Sequence, residues 1–288
     1  MRIVATDTTL NTIAYNVATA LQSIGENISL WNTRQKPVFD MIAEKRPDVI
    51  IIHTDDMTPI FMRAIKEYSN ISVIAFGFSN CYDNIDVVCL PDNTPEHVMK
   101  NLSIDNAQIL LIPPTANIAK YGQHQYHASY ASDVLYISKQ KPSAALINIL
   151  HHLAAFVQIK ICGPIKIAMP EYLGVTNLSQ EIRFMSSTRI GLDFYGLDTL
   201  DYASLGTYCV TPAPNPVFPS VIPTQIVDTI LDKVENLTKL KTLANKAKKL
   251  TYKKYTCFHI TQKIFTQLNY PHIVSKLQKR YEQIRQTS

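Results

Sequence analysis

The chain has 288 residues, of which 46% are hydrophobic and 18% charged, a composition that fits folded globular domains and excludes a disordered chain. Its formal net charge is +5, and its five cysteines, Cys81, Cys89, Cys162, Cys209 and Cys257, are scattered with no Cys-x-x-Cys pair, which argues against a disulfide framework or a zinc site. No apolar run approaches the roughly 18 residues of a membrane span, and Asp7 interrupts the core of any signal peptide, so a cytoplasmic location is expected, the host cytoplasm if the chain is viral.

Apolar runs alternate with amphipathic stretches from the start, as in the strands and helices of a parallel sheet. Strands are expected over 2–5, 28–31, 48–53, 72–76, 87–90 and 110–112, and helices over 10–24, 38–45, 58–68 and 95–101. This is the pattern of a doubly wound, Rossmann-like domain. The turn after its first strand reads Asp7-Thr8-Thr9 in place of Gly-x-Gly-x-x-Gly, so no dinucleotide cofactor is expected there.

Pro113-Pro114 and the polar residues up to 132 read as a linker. The alternation then restarts with a strand over 133–137, a Lys-rich turn at Ser138-Lys139-Gln140-Lys141, a helix over 143–156, a strand over 158–162 and a helix near 179–186. A strand over 189–193 runs into a loop at Gly196-Leu197. Asp198 can cap the next helix, whose N–H groups would point at an incoming anion such as a diphosphate, and Gly206 ends that helix before a strand at 208–211. The expected organisation is therefore α/β, with an N-terminal Rossmann-like domain over 1–125, a second over 126–255 and C-terminal helices over 256–288.

The stretch from Asp193 to Asp201 places two carboxylates eight positions apart around a loop-to-helix junction, where they can accept hydrogen bonds from vicinal hydroxyls of a pyranose or a ribose. The ordinary alternative is a strand-loop-helix junction with solvated carboxylates. In this segment the chain resembles the retaining, family-4-like glycosyltransferases of the GT-B fold, whose signature is Glu, seven residues, Glu, then Ala and a Gly before a buried strand. Asp193 falls on the first Glu, Gly196-Leu197 on the loop, Asp201 on the second Glu, and Gly206-Thr207 with Val210-Thr211 on the closing turn and strand. Both Glu are Asp here, one methylene shorter. Tyr130 to Ile137 and Ile159 to Gly163 resemble the opening of the C-terminal domain in spore-maturation-type relatives, and Pro47 to His53 the Pro-Asp-Val-strand-His segment of family-4 enzymes.

The resemblance implies two Rossmann-like domains facing a cleft, with the C-terminal helices crossing back to the N-terminal domain. It implies a nucleotide-sugar donor such as a UDP-sugar, Asp193 on the transferred sugar, Asp201 on the ribose, and Lys139 neutralising the leaving diphosphate beside Lys141. GT-B enzymes of this kind use no cofactor and no bound metal, and nothing in the sequence has metal-ligand spacing. Strand-end geometry adds Ser138, Gly163 and Tyr172 to the donor rim, and Asp7, His53 and Asp55 to an acceptor rim on the first domain. Asp55-Asp56 also fits a helix cap, and His53 a satisfied core histidine. His151-His152 reads as packing and surface.

The last 56 residues hold thirteen Lys or Arg against Glu235 and Glu282 alone, so the basic end faces something anionic or is a solvated face. Lys246, Lys248, Lys249, Lys253 and Lys254, with Tyr252, Tyr255, Phe258 and Tyr281 interleaved, suit nucleic acid better than anionic lipid, although aromatics at helical spacing are commonly core. A modified base of viral DNA is the leading acceptor expectation, by analogy. The competing classes are a transferase acting on protein or surface glycan, an epimerase of the same fold, and a non-catalytic GT-B-like module that binds a nucleotide or nucleic acid.

Overall fold

A computed structural model describes residues 1–6, 13–32, 37–68, 70–79, 82, 84–102, 107–121 and 126–287. The chain divides into two compact units, Met1–Ala119 with Thr256–Thr287, and Lys120–Tyr255.

The first unit is built on six parallel strands, β1 (Arg2–Thr6), β2 (Asn27–Trp31), β3 (Val49–His53), β4 (Ser72–Phe76), β5 (Val87–Pro91) and β6 (Gln108–Ile112), in the order β2-β1-β3-β4-β5-β6. Helices α1 (Ile13–Ser23), α2 (Val38–Lys45), α3 (Pro59–Glu67) and α4 (Glu96–Lys100) are its crossovers. Val49, Ile50, Ile51 and Ile52 of β3 are all fully buried, as a strand covered on both faces requires, which is why this segment is a continuous apolar run. The short α5 (Ile118–Tyr121) follows. The stretch expected as a linker is packed at its start: Ala116 is fully buried and bridges Thr256 in parallel, and the Cys257 N–H donates to the Ala116 carbonyl.

The second unit has four parallel strands, β7 (Ser132–Ile137), β8 (Ile159–Cys162), β9 (Thr188–Leu192) and β10 (Tyr208–Val210), in the order β10-β9-β7-β8. Helix α6 (Ala144–Ala154) links β7 to β8, α7 (Leu178–Ser187) links β8 to β9, and α8 (Thr199–Leu205) links β9 to β10. Leu146, Leu150 and Leu153 bury one stripe of α6, at the spacing that an amphipathic helix on a sheet needs. Both sheets share one winding: the second strand lies on one side of the first, and the third and fourth on the other. The strand order therefore reverses between β1 and β3, and again between β7 and β9.

Four helices follow β10. Helices α9 (Ile226–Glu235) and α10 (Leu237–Lys254) stay with the second unit, broken at Asn236, whose side chain accepts from the Lys239 N–H and so starts a new helix. Helices α11 (Cys257–Gln267) and α12 (Pro271–Thr287) return to the first unit, where both pack on α1. Lys276 of α12 pairs with the buried Glu26 at 2.8 Å.

Candidate functional site

At the reversal point of the second sheet the chain leaves β7 as Ser138-Lys139 and β9 as Asp193-Phe194, and the two strand ends are tied together by charge. The Lys139 ammonium contacts Asp198 Oδ1 at 2.5 Å and Glu181 Oε1, on α7, at 3.6 Å; its side chain is only 13% exposed. Burial works against charge on Lys139, but the carboxylates of Asp198, Glu181 and Asp201 overrule it and hold the lysine above its ordinary value. For Asp198 burial wins, with Asp193 and Glu181 reinforcing it against Lys139, and its carboxyl is pushed up to about 6.

Asp198 does not cap α8 through its side chain. Asp193 holds the turn ahead of the helix: its Oδ1 accepts from the Leu197 N–H at 3.0 Å, and its Oδ2 accepts from the Asp198 N–H and the Thr199 hydroxyl, both at 2.7 Å. Asp193, one residue beyond the end of β9, is the nearer carboxylate to these donors, which frees Asp198 to turn toward Lys139. Among the described residues no side chain caps α8, and Asp193 takes the N–H groups of Leu197 and Asp198, which precede it.

The other expected donor-rim residues form the surroundings of this cluster. Ser138 is fully buried, and its hydroxyl lies 2.5 Å from the Ile165 carbonyl and 3.2 Å from that of Cys162, pinning the loop after β8. Gly163 follows β8 at φ 124°, and a Cβ there would sit 2.8 Å from the Ser138 backbone nitrogen, so no side chain fits. The Tyr172 hydroxyl donates to the Gly163 carbonyl at 2.8 Å. Gly196, at φ 73°, turns the loop that leaves Leu197 50% exposed, while Asp201 is half-buried in the first turn of α8. Lys141 is exposed and its carbonyl accepts from the Tyr195 hydroxyl at 3.0 Å, which joins the loops after β7 and β9.

Three participants were not anticipated. Glu181 sits twelve residues before Asp193, and its only signal was a place in the first turn behind the Asn177–Gln180 capping box. Tyr195 lies inside the loop already singled out. The Tyr136 hydroxyl, on β7, is buried without a hydrogen-bond partner among the described residues; burial, together with Tyr195, Asp193 and Asp198, pushes its ionisation well above the usual phenol range.

In the first unit, Asp7 lies outside the described residues. His53 ends β3, beside β1, and its backbone N–H meets the Thr6 hydroxyl at 3.4 Å. Its Nδ1 is 3.2 Å from the Asp55 carboxylate and 3.3 Å from the Asp55 N–H. The carboxylate contact requires a proton on Nδ1 and leaves Nε2 basic; the backbone contact requires the opposite tautomer. Gly77, at φ 105°, lies so close that a Cβ would be 2.6 Å from Thr54 Oγ1. Asp55 and Asp56 do not cap α3, because Thr58 takes that place and accepts from the Phe61 N–H. Among the described residues no group of three metal-ligating side chains is gathered. His151 and His152 are exposed, and Cys89, Cys162, Cys209 and Cys257 are buried free thiols.

All five lysines expected at a nucleic-acid surface lie on α10. Lys246, Lys249, Lys253 and Lys254 are exposed, but Lys248 is half-buried, with its ammonium 5.9 Å from the Tyr252 ring centroid. Tyr252, Phe258 and Tyr281 are buried, so a stacking role for them is corrected to packing.

No protein-family model matches the sequence, and no curated protein is similar to it. Solved structures share its fold. An Anabaena protein, Alr3699/HepE, in complex with UDP and glucose, superposes with a TM-score of 0.64 at 10% identity, over 94% of this chain and 100% of that one. The UDP-GlcNAc 2-epimerase of Neisseria meningitidis bound to UDP-GlcNAc gives 0.55 at 12% identity, over 93% and 99%. The lipopolysaccharide outer core galactosyltransferase WaaB gives 0.52 at 11%, over 93% and 100%. The chain has the GT-B fold, with two Rossmann-like units and C-terminal helices that return to the first.

Proposed function

We propose that the chain is a glycosyltransferase whose second unit holds a nucleotide-sugar, such as a UDP-sugar, at the carboxyl ends of β7 and β9. The observation that carries this reading is the Lys139 ammonium, held at the point where the strand order of that sheet reverses, the place where open α/β sheets bind ligands. Solved relatives of the fold that are described with UDP, UDP-glucose or UDP-GlcNAc support it.

Transfer breaks the bond between the anomeric carbon and the diphosphate oxygen and forms one to an acceptor hydroxyl, so negative charge grows on the leaving group. Lys139 and the exposed Lys141 supply the compensating charge. Asp201 accepts from the ribose hydroxyls. Asp193 acts as a positioning residue, since its oxygens already hold the 197–199 turn. In the first unit taken by itself, His53, with Asp55 at its Nδ1, is the base offered to an acceptor hydroxyl.

Calorimetry with UDP, UDP-glucose and UDP-GlcNAc tests the reading. The unaltered protein should bind at least one, and Asp201→Ala should weaken that binding at least tenfold, in line with the roughly 1.5–3 kcal/mol of a charge-assisted hydrogen bond. No binding to any nucleotide-sugar would overturn it. Transfer is then assayed on hydroxymethylated duplex DNA, protein and glycan acceptors. UDP-GlcNAc epimerised at C2 with no acceptor present would replace the transferase reading with the epimerase one.

A further inference from the structure

Seven of the eighteen residues of α10 are lysines and none is acidic. Leu240, Ala244, Ala247 and Thr251 form its buried face, against α8, α9 and β10, and helical periodicity sets Lys239, Lys246, Lys249 and Lys253 along the opposite side. All four are exposed, as are Lys241 and Lys254 at the margins. Among the described residues none of these six makes an ion pair; the carboxylate of Asp232, on the neighbouring α9, is paired with Lys233. From Lys239 to Lys253 the row is about 21 Å long, at 1.5 Å per residue.

We infer that this outward face of α10 binds the phosphate backbone of double-stranded nucleic acid without regard to sequence. A duplex carries one charge per roughly 1.7 Å of axis, so a length of about 21 Å carries about twelve phosphates on its two strands, and those on the near side meet the row. Single strands are the poorer fit, because their affinity rests on stacked bases and Tyr252, the aromatic residue of α10, is buried. A bilayer is also the poorer fit: the exposed residues between the lysines on this face are Thr238, Thr242 and Asn245, and Leu243 and Leu250, at its margin, are half-buried. The cations are all lysine, point charges without the planar fork that reads base edges, so sequence is not recognised.

Fluorescence anisotropy with a random-sequence duplex of 20 base pairs, and with one of its strands, at 50 and 200 mM salt, decides the matter. Four phosphate contacts predict duplex affinity falling about 100-fold between the two salts. Changing Lys239, Lys246, Lys249 and Lys253 together to Gln should remove at least nine-tenths of duplex binding at 50 mM and flatten the salt dependence. The same four changed to Arg should retain both, which guards against a Gln variant that misfolds. Any one of four results overturns the inference: no duplex binding at 50 mM, equal binding by the Gln variant, tighter binding to the single strand, or sedimentation with phosphatidylserine vesicles by a protein that ignores the duplex. None of the four lysines belongs to the proposed donor site, so nucleotide-sugar affinity in the Gln variant should be unchanged, and failure here leaves the donor reading standing.

Discussion

A lysine and an aspartate buried together at the end of β7 stabilise the fold only while each compensates the other. Lys139→Met would leave Asp198 and Glu181 facing each other in a buried setting, and losing one partner of such a pair costs roughly 3–5 kcal/mol. Urea denaturation should show that loss, and calorimetry should show donor binding abolished. Asp198 also makes stability depend on pH. Its carboxyl is raised from 3.8 to about 6, so the folded state holds a proton that the unfolded chain releases between those values. Its contribution is therefore most favourable below pH 4, declines as pH rises, and is least favourable above pH 6. Asp198→Asn removes that slope, and the difference in unfolding free energy between pH 4.5 and 7.5 should change by about 2 kcal/mol relative to the unaltered protein. An unchanged difference would mean that Asp198 does not titrate in this window. The sequence displayed both carboxylates of this turn but not their division of labour. Which one closes the turn and which one meets Lys139 is decided by backbone angles at Asp198, φ −120° and ψ 4°, and by Glu181, which only folding brings near.

Each element reached the structure with boundaries its own residues dictate. Helix α2 and strand β4 have the expected bounds, because Pro37 precedes the one and a buried run of Val, Ile, Ala and Phe makes the other. The split between α9 and α10 was hidden, since Asn236 inside a Lys- and Leu-rich stretch looks like one more helical residue until its side chain is seen capping Lys239. Two substitutions probe the elements around the site. Asn177→Ala removes the cap that starts α7 and should cost about 1 kcal/mol, with a modest fall in donor affinity because α7 carries Glu181. Asp193→Ala removes all three bonds that close the turn into α8 and should cost more, about 3 kcal/mol. Hydrogen exchange should then speed up at the Leu197 and Asp198 amides while β7 stays protected; unchanged exchange there would show that the turn holds without Asp193.

For the whole molecule the repeated winding was readable, because buried parallel strands are apolar runs separated by amphipathic helices. The return of α11 and α12 to the first unit was implied by resemblance alone: nothing in a helix's own periodicity says which sheet it will cover. That return is substantial. Phe258, Ile264, Phe265, Ile273 and Leu277 are fully buried, each contributing roughly 1.5–3 kcal/mol, and together they match the 5–15 kcal/mol stability of an ordinary domain. A chain ending at Tyr255 should therefore lose protection in the six-stranded sheet and keep it in the four-stranded one. Hydrogen exchange read by mass spectrometry checks this, and protected β1 and β3 in the shortened chain would count against it.

The same discontinuity sets an order of events during synthesis. Everything the four-stranded unit needs has been translated by Tyr255, whereas the six-stranded unit, though its strands come first, lacks its last two helices until residues 256–287 have been made. The later-encoded half is thus the first that can reach its native state, and the earlier half must wait with the apolar face of α1 uncovered, a window in which chaperone binding or aggregation would begin at the N-terminus.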